Sequence, residues 1–132
     1  MIELHGKIAT YKCFDYGHPA EHQVHSSNEL PPHCKFCGSL LRPDILWFGE
    51  KLQEDVYDRA EQDSFNTEVF ISIGSSLEVY PAASLPLSAS RNGAYLIQIN
   101  PKITMIDRSA DYNLRGKAGE IMPLLWEAVW RE

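Results

Sequence analysis

Apolar positions are unevenly spaced along this chain, and the spacing divides it. Glu68-Val69-Phe70-Ile71-Ser72-Ile73-Gly74 is mostly apolar, β-branched and closed by glycine, and Ala94-Tyr95-Leu96-Ile97-Gln98-Ile99-Asn100 has the same character. Near-continuous apolar runs of this kind belong to parallel strands covered on both faces. Residues 82–91 between them are helix-permissive, which predicts a βαβ unit. Asp44-Ile45-Leu46-Trp47-Phe48-Gly49 reads as a third short buried strand. Within 52–64, Leu52, Val56 and Ala60 recur at helical spacing. Met122, Leu125, Trp126, Val129 and Trp130 share one stripe of a helix over 121–130. Pro123 is expected in its first turn, where the missing N–H costs nothing.

Residues 5–37 follow another pattern. They hold all five histidines and all three cysteines, together with Gly17, Pro19, Pro31 and Pro32, and no long periodic segment. That composition predicts a small lobe held by something other than an apolar core. The expected organisation is an opening strand and histidine motif over 1–7, a zinc-ribbon lobe over 8–42, and a Rossmann-like half-domain over 43–132. The fold class is α/β: a partial parallel sheet plus the small lobe.

Charge and cysteine usage narrow the function. With 12 Lys and Arg against 18 Asp and Glu, the formal net charge is −6, so an extended nucleic-acid surface is not expected. No apolar run approaches the roughly 20 residues that span a bilayer, and Met1-Ile2-Glu3-Leu4-His5 does not read as a signal peptide. An odd cysteine count containing a Cys-x-x-Cys pair points to metal or redox chemistry in a reducing cytoplasm.

Cys34-Lys35-Phe36-Cys37-Gly38 is half of a zinc ribbon: two thiolates at this spacing reach one tetrahedral ion, and glycine permits the tight turn. Cys13 is the third ligand expected. The fourth is not a cysteine; His18 follows Cys13 closely, and His22, His25 and His33 compete with it. A closed shell of this kind is structural. His5-Gly6, after the strand-like Ile2-Glu3-Leu4, can project an imidazole of suitable basicity into a cleft, although a His-Gly pair is more often a plain turn. Ile73-Gly74-Ser75-Ser76 brings a glycine and two hydroxyls to the end of one parallel strand, and Asn100 ends the next, so both face one sheet edge.

Taken together, His5-Gly6, the cysteines, Leu41-Arg42-Pro43-Asp44-Ile45-Leu46-Trp47-Phe48-Gly49-Glu50, Ile73-Gly74-Ser75-Ser76-Leu77-Glu78-Val79-Tyr80-Pro81-Ala82-Ala83, Ile99-Asn100 and Leu114-Arg115-Gly116-Lys117-Ala118 closely resemble the second half of the sirtuins. These are NAD-dependent protein-lysine deacylases, a transferase chemistry, and bacterial members look closest. The resemblance implies NAD+ as co-substrate, structural Zn2+ and an acyl-lysine protein or peptide as partner, with no nucleic acid or membrane. It implies that His5 is the base that activates a ribose hydroxyl after the acyl-lysine carbonyl oxygen has displaced nicotinamide. It assigns Gly74, Ser75, Ser76, Asn100, Pro101, Lys102 and Ala118 to the cofactor, Asn100 at the adenosine ribose and Ala118 at the adenine. It assigns Phe48, Gly49, Glu50, Val79 and Tyr80 to main-chain pairing with the substrate peptide. The metal set it implies is Cys13, His18, Cys34 and Cys37, with His18 where longer-spaced members place the fourth ligand.

Against the family pattern, the chain shows no glycine-rich pyrophosphate loop, no cofactor lid and no Gln-Asn-x-Asp stretch, and it starts four residues before His5. Three expectations follow: a portion of a deacylase that is inactive alone, one chain of a two-chain enzyme completed by the other half, or a non-catalytic zinc-ribbon module that binds peptide or ADP-ribose. A parallel sheet with bare edges also predicts a homodimer.

Overall fold

The computed structural model describes residues 1–20 and 30–131. The chain falls into two compact units, residues 1–56 and 57–132. The divisions expected after residues 7 and 42 each cut through a strand.

In the first unit β1 (Gly6–Cys13) pairs antiparallel with β2 (Leu41–Ile45), from Gly6 opposite Ile45 to Cys13 opposite Leu41. The register slips between Lys7 and Tyr11, opposite Asp44 and Pro43. Pro43 has no N–H to give a regular ladder, and a bulge is where a strand tolerates it. The buried cluster consists of Cys13, Ala20, Cys34 and Leu41, with Tyr11 packed against it. Two of those four residues are thiols, so the described residues of this unit show no apolar core independent of the cysteines.

Two expectations change here. The strand is Leu41–Ile45 rather than 44–49, and it pairs with β1 instead of joining the parallel sheet. Leu46 to Glu50 form a turn beyond it, in which Phe48 is 99% exposed. Ile2-Glu3-Leu4 is not a strand; Leu4 and His5 form a turn that precedes β1.

Downstream, α1 (Glu54–Phe65) opens on Glu54 and Asp55, which complement the positive end of the helix dipole. It buries Ala60 and Ser64, and the Ser64 hydroxyl donates to the Ala60 carbonyl. In the second unit β3 (Val69–Ile73), β4 (Tyr95–Ile99) and β5 (Tyr112–Leu114) form a parallel sheet with β4 central. Val69 pairs with Tyr95 and Ile73 with Ile99, as the apolar runs predict. The third parallel strand is the short β5, with Ile97 opposite Tyr112. A 3-10 turn (Ala82–Ser84) and α2 (Leu85–Arg91) make the crossover. Leu77, Ala83, Leu96 and Ile106 form the core, flanked by Phe70, Leu87 and Ala110.

The last helix, α3 (Ala118–Trp130), begins a turn earlier than expected, so Pro123 lies inside it rather than in the first turn. None of its residues is buried; Leu124, Trp126, Val129 and Trp130 are exposed, and the two indoles stack 5.1 Å apart. Among the described residues no helix is long and apolar enough to cross a membrane.

Candidate functional site

The candidate metal cluster is built by two knuckles of the same design. In each, a cysteine carbonyl accepts from a glycine N–H four residues on: Gly17 to Cys13 at 3.0 Å and Gly38 to Cys34 at 2.8 Å. In each, the cysteine N–H donates to the next carbonyl beyond: Cys13 to His18 at 2.8 Å and Cys34 to Ser39 at 2.7 Å. Both glycines have positive φ, +69° and +74°, where a side chain is strained. The knuckles differ only in where the second ligand sits. The second uses Cys37; the first has Tyr16 at the equivalent place and offers His18, two residues later.

The ligand atoms of Cys13, His18, Cys34 and Cys37 all lie within 4.8 Å of one another. Cys13 and Cys37 Sγ atoms are 3.4 Å apart, and Cys34 Sγ is 3.8 Å from His18 Nδ1. A tetrahedral zinc with bonds near 2.3 Å to sulfur and about 2.0 Å to nitrogen requires separations of roughly 3.5–3.8 Å. The donor set and its spacing therefore fit zinc. Tyr16 stacks on the His18 ring at 5.6 Å and Phe36 meets it edge-on at 5.7 Å, which fixes the imidazole plane. His33 is exposed and outside the cluster; His22 and His25 lie outside the described residues.

The thiols are already poised for unequal ionisation. Burial opposes ionisation of Cys13, but backbone hydrogen bonds from Tyr16 and Asp15 and contacts with the other two thiols outweigh it and lower its pKa. For Cys37 the Ser39 backbone favours the thiolate, yet burial and the neighbouring Cys13 and Cys34 prevail and push it up to about 11. Of these two thiols Cys13 therefore loses its proton before Cys37, and a bound divalent cation favours the thiolate form.

His5 is exposed, in the turn ahead of β1. Its carbonyl accepts from Leu46 N–H at 2.9 Å, and Gly6 N–H donates to the Glu3 carbonyl at 3.1 Å. The same strand pair carries the turn expected to meet the peptide. Arg42, 8% exposed, donates to both Glu50 carboxylate oxygens, at 2.5 and 2.9 Å, and to the Ile45 carbonyl at 2.7 Å. Its guanidinium lies 3.9 Å from the centre of the Trp47 ring, and Trp47 N–H donates to Glu50 at 2.9 Å. Glu50 is therefore turned inward as a brace, leaving Phe48 and Gly49 presented. Neither Trp47 nor Phe48 is core, contrary to the buried strand expected over 44–49; Trp47 packs over Arg42 and is 6.3 Å from the Phe14 ring.

The brace makes a pH prediction. The hydrogen bond from Arg42, and then the Trp47 N–H, hold the Glu50 carboxyl at about 2, against an ordinary 4.5. A depressed folded-state pKa contributes stability above the unfolded value that disappears as pH falls through the folded one. The turn is expected to release between about pH 4.5 and 2. Trp47 fluorescence, in a chain with Trp126 and Trp130 replaced by Phe, should report that release, and Glu50→Gln should abolish the transition.

In the second unit the strand ends do converge. Gly74, Ser76, Asn100, Pro101, Lys102 and Ala118 line one cleft of about 520 Å³, with Glu78, Ile103, Thr104 and Lys117. Ser75 is used differently: its hydroxyl accepts from Leu77 N–H at 3.3 Å. Asn100, 6% exposed, donates to the Ser75 carbonyl at 2.7 Å and accepts from Lys102 N–H at 3.0 Å. It ties the two strand-end loops together and keeps one N–H and one lone pair for a ligand. Lys102, Lys117 and Glu78 are the charged lining residues of this cleft, and Lys117 is paired with Glu120 at 3.8 Å. Val79 and Tyr80 are exposed nearby in sequence, and the Tyr80 hydroxyl rests 3.7 Å from Met105 Sδ.

Comparison with known proteins agrees with this architecture. Over 124 residues the chain is 46% identical to NAD-dependent protein deacylase 1 of Archaeoglobus fulgidus, covering 92% of the chain and 50% of that protein. It is 44% identical to an NAD-dependent protein deacylase of Aquifex aeolicus, covering 89% and 49%. Among solved structures, a Sir2 homologue variant in complex with ADP-ribose superposes with a TM-score of 0.88 at 45% identity, covering 97% of the chain and 51% of that protein. A Sir2 complex with a p53 peptide and NAD+ gives 0.83 at 35% identity, covering 96% and 54%. The chain thus spans about half the length of the relatives it matches. A profile of the Sir2 family matches residues 1–81, and with these relatives it shows that the chain belongs to the Sir2 family.

Proposed function

We propose that these 132 residues serve NAD-dependent removal of acyl groups from protein lysines, supplying a catalytic base, a zinc-held lobe, a peptide-pairing turn and the adenosine side of the NAD pocket. The observation that carries the reading is the single cleft that gathers six of the seven residues assigned to the cofactor, in a chain of the Sir2 family. The NAD supplies a nicotinamide leaving group; the residues supply position and a proton acceptor. The ring of His5 takes the proton of a ribose hydroxyl. Asn100 meets the adenosine ribose, Gly74 and Ser76 approach the phosphate side through backbone and hydroxyl, and Ala118 at the N-terminus of α3 borders the adenine. Zinc on Cys13, His18, Cys34 and Cys37 holds the lobe and takes no part in the reaction. Phe48-Gly49 and Val79-Tyr80 pair with the peptide main chain, which favours affinity over sequence selectivity.

Positioning groups contribute many orders of magnitude in rate, and this sequence carries no glycine-rich pyrophosphate loop. The 132 residues alone are therefore expected to bind ADP-ribose while releasing almost no nicotinamide from NAD and an acetyl-lysine peptide. A companion polypeptide carrying that loop should restore release, and His5→Ala should abolish it again. Turnover by the isolated chain that survives His5→Ala would refute the assignment of the base.

A further inference from the structure

Gln98 lies at a core position of the central strand, on the same face as Leu96, yet it is polar and only 1% exposed. It sits in register with Ser72 on one side and Asn113 on the other. Its amide donates to Asp107 Oδ1 at 2.9 Å and to Asn113 Oδ1 at 2.7 Å, and its oxygen accepts from the Thr104 hydroxyl. Asp107 is the hub. Its carboxylate also accepts from Thr104 N–H at 2.8 Å and from Arg115 Nη2, so donors from β4, from the following loop and from the end of β5 meet on one anion. The same guanidinium donates to the Lys102 carbonyl at 2.7 Å and to the Asn100 carbonyl at 3.4 Å. Asn113 closes the circuit by donating to the Asp107 carbonyl at 3.0 Å.

What this network holds is one wall of the cleft. Residues 100–111 connect β4 to β5 without regular secondary structure, and Asn100 to Thr104 form that wall. Gln98, Asp107 and Arg115 are not among the lining residues. A loop of this length would otherwise have to be ordered each time a ligand arrived, at an entropic cost taken from affinity. A network anchored on the buried Gln98 amide, with its members bonded, specifies one arrangement, and the partly exposed Asp107–Arg115 pair adds charge-assisted bonds at its solvent edge.

We infer that Asp107 and Arg115 are positioning residues that pre-order the 101–104 wall for an adenosine diphosphate moiety. This rests on reading the cleft as the ADP-ribose side of the NAD pocket, and the experiment separates the two. ADP-ribose is titrated into the whole chain, and amide exchange is measured without ligand, for the wild type, Arg115→Ala and Asp107→Ala. Ala60→Gly, in the middle of α1, serves as a control that is destabilised away from the cleft. Both network variants should exchange the Lys102 and Thr104 amides faster and bind ADP-ribose about tenfold more weakly or worse. Arg115→Lys should recover only part of the loss, because an ammonium cannot grip carboxylate and carbonyls at once. The control should melt lower yet keep wild-type affinity and wild-type exchange at Lys102 and Thr104. Unchanged exchange in Arg115→Ala, or faster exchange with unchanged affinity, overturns the inference and leaves the cleft reading intact. No binding by the wild type overturns the cleft reading, and the inference with it.

Discussion

Chelating zinc at neutral pH is expected to melt residues 1–56 while the parallel sheet of residues 57–131 keeps its amide protection. The magnitudes decide this. Among the described residues, the buried cluster of the first unit contains Leu41 and Ala20 besides the two thiols, with Tyr11 packed against it, and burying Leu41 and Ala20 contributes on the order of 2–4 kcal/mol. Ordering even the strand residues costs about 1 kcal/mol each in backbone entropy. A closed structural zinc site contributes about 10–16 kcal/mol in apparent terms near pH 7, which reverses the sign. Protein purified without added metal should contain one zinc per chain. Cys34→Ser should lose it together with the β1–β2 amide signals. His18→Ala should weaken retention markedly, His18→Cys should preserve it, and His33→Ala should change nothing, since that ring is exposed and outside the cluster. A metal-free chain with an intact β1–β2 ladder would refute the assignment.

How much of this was legible in the sequence follows from which residues had to speak alone. β3 and β4 were legible because parallel strands are rich in apolar and β-branched residues, and Val69-Phe70-Ile71-Ser72-Ile73 and Tyr95-Leu96-Ile97-Gln98-Ile99 each carry four apolar or aromatic residues out of five. β5 was not: Tyr112-Asn113-Leu114 is three residues long, and its strand state comes from lying beside β4 rather than from any period. β2 was misplaced for the opposite reason. Leu41-Arg42-Pro43-Asp44-Ile45 carries two charges and a proline and so shows no strand-like apolar run. The following Leu46-Trp47-Phe48 looked like a strand because its apolar residues are adjacent. Tertiary contacts reverse both signals: Arg42 is buried with Glu50 and the Ile45 carbonyl on its two terminal nitrogens, and Phe48 is exposed because that brace turns the chain outward. The partner of Arg42 lies eight residues away, beyond any local periodicity.

The fourth ligand was one of several histidines on spacing alone, but a sharper signal was present. Aligning Cys13-Phe14-Asp15-Tyr16-Gly17-His18 with Cys34-Lys35-Phe36-Cys37-Gly38-Ser39 places Gly17 on Gly38 and so predicts two equal knuckles, which the paired hydrogen bonds show. Within that alignment His18 is the ligating side chain the first knuckle offers. The Gln98 network left no such trace. A glutamine in an apolar strand looks like a tolerated surface residue until Asp107, Asn113 and Thr104 are seen to close on it.

Gly6→Ala is expected to be the most damaging single-methyl change in the chain. Gly6 has φ of +74°, and a Cβ built there would stand 2.2 Å from the Asp44 carbonyl oxygen and 3.1 Å from Ile45 Cα, both backbone atoms of the facing strand. Neither can move aside as a side-chain tip would. The left-handed conformation costs about 1–3 kcal/mol for a residue with a side chain, and forcing the strands apart adds roughly 1–3 kcal/mol more. The damage falls at the Gly6–Ile45 end of the ladder, next to the bond from Leu46 N–H to the His5 carbonyl. Cys13 and Leu41 lie at the other end, so zinc content should survive while the Leu46 amide loses protection and His5 loses its fixed place ahead of β1. Gly119→Ala provides the contrast. Its Cβ meets nothing within 4 Å, its φ is unremarkable, and it lies in the first turn of α3, so the same methyl should be neutral or stabilising by up to about 1 kcal/mol. Thermal melts of the two variants, followed at the Leu46 amide and at the α3 amides, test the pair. Equal melting of Gly6→Ala and the wild type would mean that the facing strand yields to the methyl and that His5 is not held by this contact.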